Sequence, residues 1–139
     1  MAFVSPPELI RALLIGDWDV FLLVGDRVTV GSVDVAQVSL GAISLSMLPG
    51  VPEAMPTLVR PQLEASCVAP TVSEAEEIAQ AVFLALHGKG RQVVAQANGH
   101  SYLVHFTRAT TPALRQAEDG ESWDVVVVIQ TMVDTREVS

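Results

Sequence analysis

The sequence feature that most constrains the fold is a run of four valines and an isoleucine, Val125 to Ile129, near the end of the chain. A strand with one face in water alternates apolar and polar residues, whereas this run is apolar on both of its faces. The odd positions from Trp123 to Val133 form the better core face, which leaves Val126, Val128 and Met132 on the other. The strand therefore needs apolar cover on both faces, from this chain or from a partner.

The composition is typical of a chain that associates. Its 139 residues suit a single domain over positions 1–139, which is long enough to bury a core of its own. Because 50% of the residues are hydrophobic and only 17% are charged, the folded domain is expected to keep spare apolar surface. With 8 basic and 16 acidic residues the net charge is -8, which disfavours direct binding of nucleic acid because that needs a basic surface.

The chain is expected to be soluble and cytosolic. Its apolar N-terminal half is interrupted by Arg11, Asp17 and Asp19, and no basic leader precedes it, which argues against a membrane span or a signal segment. The single Cys67 cannot form an internal disulfide and fits a reducing compartment.

Two helices are predicted from their capping residues. The first begins after Ser5, with a proline at its first position, and ends at Gly16. The second begins where Thr71 and Ser73 each stand three residues before a glutamate, and it ends at Gly88. Each helix carries an apolar stripe at helical spacing, so each is expected to pack one face on a core.

Strands are predicted from alternation and from turn residues. Hairpins are expected at Gly25-Asp26, joining residues 19–24 to 27–30, and at Asn98-Gly99, which matches a type I′ turn. A strand is expected near 42–47, and a half-buried strand follows Pro61, a residue that indicates a sheet edge or a bulge. Residues 110–122 form a long polar loop in this interpretation.

This order of elements predicts an α+β fold, a mainly antiparallel sheet with two helices packed on one face. The helices would cover that face of the sheet. The second face of the last strand would be covered by an N-terminal strand layer or by a neighbouring subunit.

The second helix carries more apolar surface than one core needs. Leu84 falls opposite the core stripe among polar residues, and Phe83 lies at the border of the stripe. We therefore predict an oligomer interface that contains Phe83, Leu84, Val126, Val128 and Met132. A wide core stripe with one exposed leucine explains the helix equally well, because single exposed apolar residues are common.

The residues that could carry chemistry are not brought together by the sequence pattern. Cys67 and His105 form the one pair suited to nucleophilic catalysis, but alternation places Cys67 on an apolar face and His105 opposite the aromatic residues of its strand. His100 and His105 are expected on opposite faces of a strand and His87 lies near a helix end, so no metal-ligand cluster is predicted. The turn from Gly88 to Arg91 follows a helix instead of opening one, unlike a phosphate-binding loop. The sequence predicts no catalytic, cofactor-binding or metal site, and no enzyme.

Several elements in the second half of the chain follow one another in an order seen in a known family. They are the strand Arg60 to Ala65, the helix Ala75 to Gly88, the strand ending at Arg108, and Pro112 with Leu114 before Glu118-Asp119-Gly120 and the closing strand. In this pattern the segment Thr57 to Val133 resembles the tail terminator (tail completion) proteins of long-tailed bacteriophages. Residues 16–48 have no counterpart in the resemblance.

The resemblance implies a non-enzymatic ring, usually a hexamer, that sits on the last ring of the tail tube, stops its polymerisation and offers a surface to the head connector. The implied partners are other copies of the chain, the tail-tube protein and the head connector protein, with no membrane and no cofactor. The protein would lie at the head-proximal end of the tail, after assembly in the host cytoplasm. A loop with Glu118 and Asp119 would face a partner or the lumen, where acidic charge lets DNA pass as cargo without adhering. The ring contact would cover the second face of the valine strand.

Three other interpretations stay open at the level of sequence. Another phage neck or tail-tube component would have a similar sequence. A small cytosolic ligand-binding or enzymatic α+β domain would have a pocket between sheet and helices, lined by Tyr102, Phe106 and Trp123. An ordinary bacterial dimer is the third. A concave pocket would favour the ligand-binding domain, whereas a filled core beneath an apolar outer sheet face would favour assembly.

Overall fold

One mixed sheet, built around a long C-terminal strand, organises the molecule. The computed structural model describes residues 4–31, 40–48, 58–96, 98–110, 113–116 and 122–138. Within these ranges the helices are α1 (Pro6–Ile15), α2 (Trp18–Val24) and α3 (Val72–Leu86). The strands are β1 (Val28–Val30), β2 (Ala42–Leu48), β3 (Leu58–Val59), β4 (Gln62–Ala69), β5 (Gln92–Ala95), β6 (Ser101–Ala109), β7 (Ala113–Gln116) and β8 (Trp123–Glu137).

β8 is the centre of the sheet because it is 15 residues long and pairs along both of its edges. β4 and β3 lie one after the other along one edge, and β7 and β6 lie along the opposite edge. The strand order is β1-β2-β4-β8-β6-β5. β1 is parallel to β2, and the other described pairings are antiparallel. The valine run is therefore an interior strand with neighbours on both edges.

Alternation decides which strand residues face the helices. In β4 the buried residues are Leu63, Ala65, Cys67 and Ala69, and the register places them beside odd-numbered residues of β8. These side chains pack with residues of α1, α2 and α3 in one hydrophobic cluster. The strand from Gln62 and the core face of β8 are thus confirmed.

Both ends of α3 are fixed by hydrogen bonds. The Thr71 hydroxyl accepts a hydrogen bond from the backbone N–H of Glu74 at 3.2 Å, as expected for an N-cap. After the last turn Gly88 adopts a φ of +72°, a left-handed conformation that glycine allows without strain. The buried Thr107 hydroxyl of β6 donates to the carbonyl of Leu86 at 2.7 Å. This contact ties the end of α3 to the sheet.

The sheet curls strongly, so that α1 contacts both of its ends. This helix packs against β1 and β2 at one end and against β5 at the other. Leu9 of α1 lies in a second core cluster with Val94 of β5 and Tyr102 of β6. At the start of the helix, the backbone N–H of Ser5 donates to the side-chain oxygen of Gln96, just beyond β5. The N-terminal helix therefore fills the concave side of the sheet.

The expected fold class holds only in its mixture of helices and sheet. The sheet is mixed, because β1 runs parallel to β2, and strongly curled, and three helices, not two, lie within the described ranges. The extra helix, α2, replaces the first arm of the hairpin expected at Gly25-Asp26. The Asp17 side chain caps it by accepting from the Val20 N–H at 3.2 Å, and Gly25 ends it with a φ of +58°. A short apolar run without alternation fits a helix or a strand equally well.

Bulges in β6 separate residues that strict alternation would place together. The register shifts between Tyr102 and Val104 and again between Val104 and Phe106. Phe106 then stands opposite Met132, on the face away from the helices, while Tyr102 and Val104 are fully buried. The expectation that alternation places the aromatic residues Tyr102 and Phe106 on one face of β6, opposite His105, is therefore wrong, because one extra residue reverses every later side chain.

Three smaller expectations also need correction. The loop predicted over 110–122 contains the strand β7. Pro61 does not mark a sheet edge; it is buried at the break between β3 and β4, where its carbonyl accepts from the Thr131 N–H at 3.3 Å. Ser5 precedes α1 as expected, but its side chain makes no capping hydrogen bond.

Candidate assembly surfaces

The first candidate surface is the face of the sheet turned away from the helices, called the outer face below. It carries three predicted interface residues of β8, Val126, Val128 and Met132, which are half-buried. Across the β4–β8 pairing the two valines stand beside Ser66 and Glu64. Neither hydrophobic cluster contains the three residues, so in the described part of the chain they lie outside the core. The two-faced strand therefore has one face in the core and one at the surface.

The two helix residues predicted at the interface differ in environment. The side chain of Leu84 is 63% exposed. Phe83 is half-buried against the core, and its ring stacks on His87 with 4.8 Å between ring centroids. The Nδ1 atom of His87 lies 2.9 Å from the carbonyl oxygen of Ala109. Leu84 is available for contact, whereas Phe83 already serves the packing of α3, and the interface role of both stays a prediction.

A second apolar surface lies on α2 and is called the helical patch; it comprises Trp18, Phe21 and Leu22. Their exposed fractions are 69%, 43% and 63%, and the two aromatic rings stack with centroids 6.3 Å apart. Val20 and Val24, on the opposite side of the helix, are fully buried. A cluster of exposed large hydrophobic residues marks an interaction surface.

Sequence reasoning misses the helical patch because the Gly25-Asp26 turn predicts a strand over residues 19–24. The sequence nevertheless carries a local signal for a helix in this segment. Asp17 can cap a helix that begins at Trp18, and the apolar residues at positions 18, 21 and 22 recur with helical spacing. Only a helix brings these three side chains onto one face.

A groove of about 480 Å³ separates α2 from α3 and is called the acidic groove. Three carboxylates line it, those of Asp17, Asp19 and Glu77, together with the exposed Leu84. Lys89 is the cation among its lining residues. The groove therefore combines an apolar wall with a net negative charge.

A smaller groove of about 280 Å³ lies on the outer face and is called the arginine groove. Arg60 and Arg108 line it with Gln62 and Gln130. The register places Gln62, Gln130 and Arg108 in one row across β4, β8 and β6. The guanidinium of Arg108 lies 5.7 Å from the centroid of the Phe106 ring, a cation–π contact. This groove combines an aromatic wall with positive charge.

The structure does not bring Cys67 and His105 together. Cys67 lies on the inner face of β4 and is fully buried, and His105 lies on β6, with β8 between the two strands. Strands two positions apart are separated by about 10 Å. Burial, followed by the nearby charge of Asp124, raises the pKa of the Cys67 thiol far above its ordinary value. The thiol therefore stays protonated and is a poor nucleophile.

The ligand pocket considered for the alternative function does not form. Tyr102 is fully buried in the core under α1, whereas Phe106 faces outward with Met132. Since the sheet separates these side chains, they cannot line one pocket with Trp123.

Glu118 and Asp119 lie outside the described residues. Among the residues the structure describes, no three His, Cys, Asp or Glu side chains are close enough to hold a metal ion. None of the described helices has the length and apolar character needed to cross a membrane.

Comparison with known proteins finds a similarity to a solved structure. No family model matches the chain, and no curated protein matches it. A solved structure described as the virion of a native gene transfer agent particle contains a chain that is 15% identical, with a TM-score of 0.65. The two chains share a fold. The similarity covers 94% of this chain and 95% of that chain, so it includes most of residues 16–48, where the sequence resemblance finds no counterpart.

Proposed function

We propose that the chain is a structural protein of a phage-like virion and acts by assembly. The observation that carries this proposal is the fold shared, over nearly the full length of both chains, with a chain of a gene transfer agent virion. The uncovered apolar residues of the outer face and the helical patch support it, because soluble monomers rarely expose such clusters. In this role the chain needs no catalytic centre and no cofactor.

Within that class, the function best supported is that of a tail terminator. The chain forms a ring, as a hexamer, that caps the tail tube, ends its polymerisation and provides the joining surface for the head. Its partners are then its own copies, the tail-tube protein and the head connector protein, with DNA as passing cargo. The support is the resemblance over residues 57–133 together with the outer face, which a neighbouring subunit would cover. The protein then lies at the head-proximal end of the tail, after assembly in the host cytoplasm.

The experiment that tests this proposal measures tail-tube length. Purified tail-tube protein is allowed to polymerise with and without a small molar fraction of this chain, and tube lengths are measured by electron microscopy. A terminator binds tube ends, so tubes become shorter as more chain is added. Unchanged tube lengths with the chain absent from the tube ends would refute the terminator function.

A second candidate is another neck or tail-tube component of the same kind of particle. It fits the fold shared with the gene transfer agent virion chain equally well, because a fold does not determine a position within the particle. Incorporation of the chain along the tube wall, seen in the same electron micrographs, would favour this alternative.

A further inference from the structure

Two grooves of opposite charge lie on opposite sides of the sheet. The acidic groove lies between α2 and α3, on the helical side. The arginine groove lies on the outer face, across β4, β8 and β6. Because the sheet separates the two grooves, one copy cannot bring them together, but two copies can.

The two arginines of the outer groove are available for a partner. Other arginines of this acidic chain are already engaged: Arg27 donates to the carbonyl of Gly41 at 2.8 Å, and Arg136 pairs with Asp134 at 3.3 Å. Arg60 and Arg108 are exposed, and in the described part of the chain neither pairs with a carboxylate. Both guanidiniums therefore keep their full capacity for bidentate hydrogen bonds to carboxylates.

The carboxylates of the acidic groove are available in the same way. Asp19 and Glu77 are exposed, and no ion pair involves them within the described ranges. Asp17 is partly engaged because its side chain caps α2. Lys89 is the single cation among the described residues that line the groove, so the groove attracts a positively charged surface.

Each groove also carries apolar surface of the kind found at interfaces. Leu84 lines the acidic groove, and the helical patch continues on the outward side of α2. Phe106 lines the arginine groove, and it stands beside Met132 of the outer face. Apolar residues surrounded by charged ones are the usual anatomy of a protein–protein contact.

We infer that the acidic groove of one copy faces the arginine groove of the next copy, with Asp19 and Glu77 opposite Arg60 and Arg108. This inference rests on the proposed self-assembly and names the surfaces that make it. The contact is head-to-tail because it joins two different faces, and such a contact closes into a ring when its rotation is right. It also covers part of the outer face of the valine strand.

The test uses charge reversal on each side of the contact. The first variant carries Arg60→Glu and Arg108→Glu; the second carries Asp19→Lys and Glu77→Lys. All four positions are exposed, so both variants are expected to fold, which circular dichroism checks. Native mass is measured by light scattering across a range of concentrations. Each variant alone is expected to self-associate on the order of a hundredfold more weakly than the wild type, because like charges then face each other.

Mixing the two variants tests whether the contact joins the acidic groove of one copy to the arginine groove of another. Each variant keeps one unaltered groove, and the unaltered grooves of the two variants complement each other. The two altered grooves also carry opposite charges, so an equimolar mixture is expected to recover the mass of the wild type, with the two variants alternating. A single chain carrying all four reversals is expected to recover the mass of the wild type. Glu76→Lys and Arg91→Glu, exposed positions outside both grooves, serve as matched controls that leave the mass unchanged.

Other results overturn the inference without touching the proposed function. If the mixture stays monomeric and the fourfold variant does not assemble, the grooves do not meet each other and one of them binds a different protein. A wild type that is monomeric at every concentration also overturns the pairing. The terminator function is judged separately, by tube length, so the two failures are distinguishable.

Discussion

Adjacent valines of β8 are expected to respond in opposite ways to the same substitution. Val127 faces the core and is fully buried, whereas Val128 lies on the outer face and is half-buried. Replacing each with glutamate introduces the same charge one residue apart. The comparison tests whether the outer face is surface or core.

For Val127→Glu the cost follows from complete burial. The variant loses about 1.5–3 kcal/mol of hydrophobic stabilisation. It also places an unpaired carboxylate among apolar side chains, which costs about 3–5 kcal/mol. Since a domain of this size is stable by about 5–15 kcal/mol in total, Val127→Glu is expected to be largely unfolded.

For Val128→Glu the cost is smaller because water reaches the new side chain. The lost apolar contact costs about 1 kcal/mol or less. The glutamate also stands opposite Glu64 of β4, and a like-charge pair across strands costs about 0.2–1 kcal/mol. The variant is therefore expected to fold and to lose self-association. Val128→Gln introduces a polar side chain without the like charge, so the difference in stability between the two variants measures the repulsion from Glu64.

The assay combines urea unfolding followed by far-ultraviolet circular dichroism with native mass from light scattering. Val127→Glu should lack a cooperative transition, and Val128→Glu should unfold at a slightly lower urea concentration than the wild type, as a monomer. Equal loss of folding in both variants would refute the reasoning, because the outer side would then belong to the core of the same chain. A folded Val128→Glu with unchanged mass would show that the assembly does not use this part of the outer face.

Three further predictions concern single side chains. Thr71→Ala removes the cap of α3 and should lower the free energy of unfolding by about 1 kcal/mol in urea titrations. Ser73→Ala, inside the first turn, should leave the free energy of unfolding unchanged, and equal effects of the two substitutions would contradict the assignment of the cap. Tyr102→Phe should not lower stability, since the Tyr102 hydroxyl is buried and makes no hydrogen bond within the described part of the chain; a loss above about 1 kcal/mol would show that the hydroxyl has a partner. Cys67, with its raised thiol pKa, should not react with a disulfide reagent between about pH 6 and 9 until urea unfolds the protein. Rapid labelling of the folded protein would contradict the burial of Cys67.

Elements with strong local signals were predictable from the sequence. The start of α3 follows from Thr71, and the hairpin of β5 and β6 follows from Asn98-Gly99, because short-range hydrogen bonds and turn geometry determine both. The alternation around Cys67 likewise predicted the buried face of β4. The exposed position of Leu84 followed from helical periodicity.

Other elements depend on contacts between distant parts of the chain. The apolar run of α2 is compatible with a helix or a strand, and its burial on the core decides for the helix. The bulges that turn Phe106 outward arise from the pairing of β6 with β8, which no local pattern reports. The parallel pairing of β1 with β2 also joins segments separated along the chain.

The division between sequence and structure is clearest in β8. By itself the sequence determined that the strand is apolar on both faces, because the side chains of a strand alternate with a period of two. Only the tertiary structure decided that Val127 is covered by helices of the same chain and that Val128 lies outside both core clusters. The same holds for the arginine groove, where Arg60, just before β4, and Arg108 of β6 lie on either side of β8. Charges so far apart in sequence become neighbours only when the register of three strands is set, since register is a property of the whole sheet.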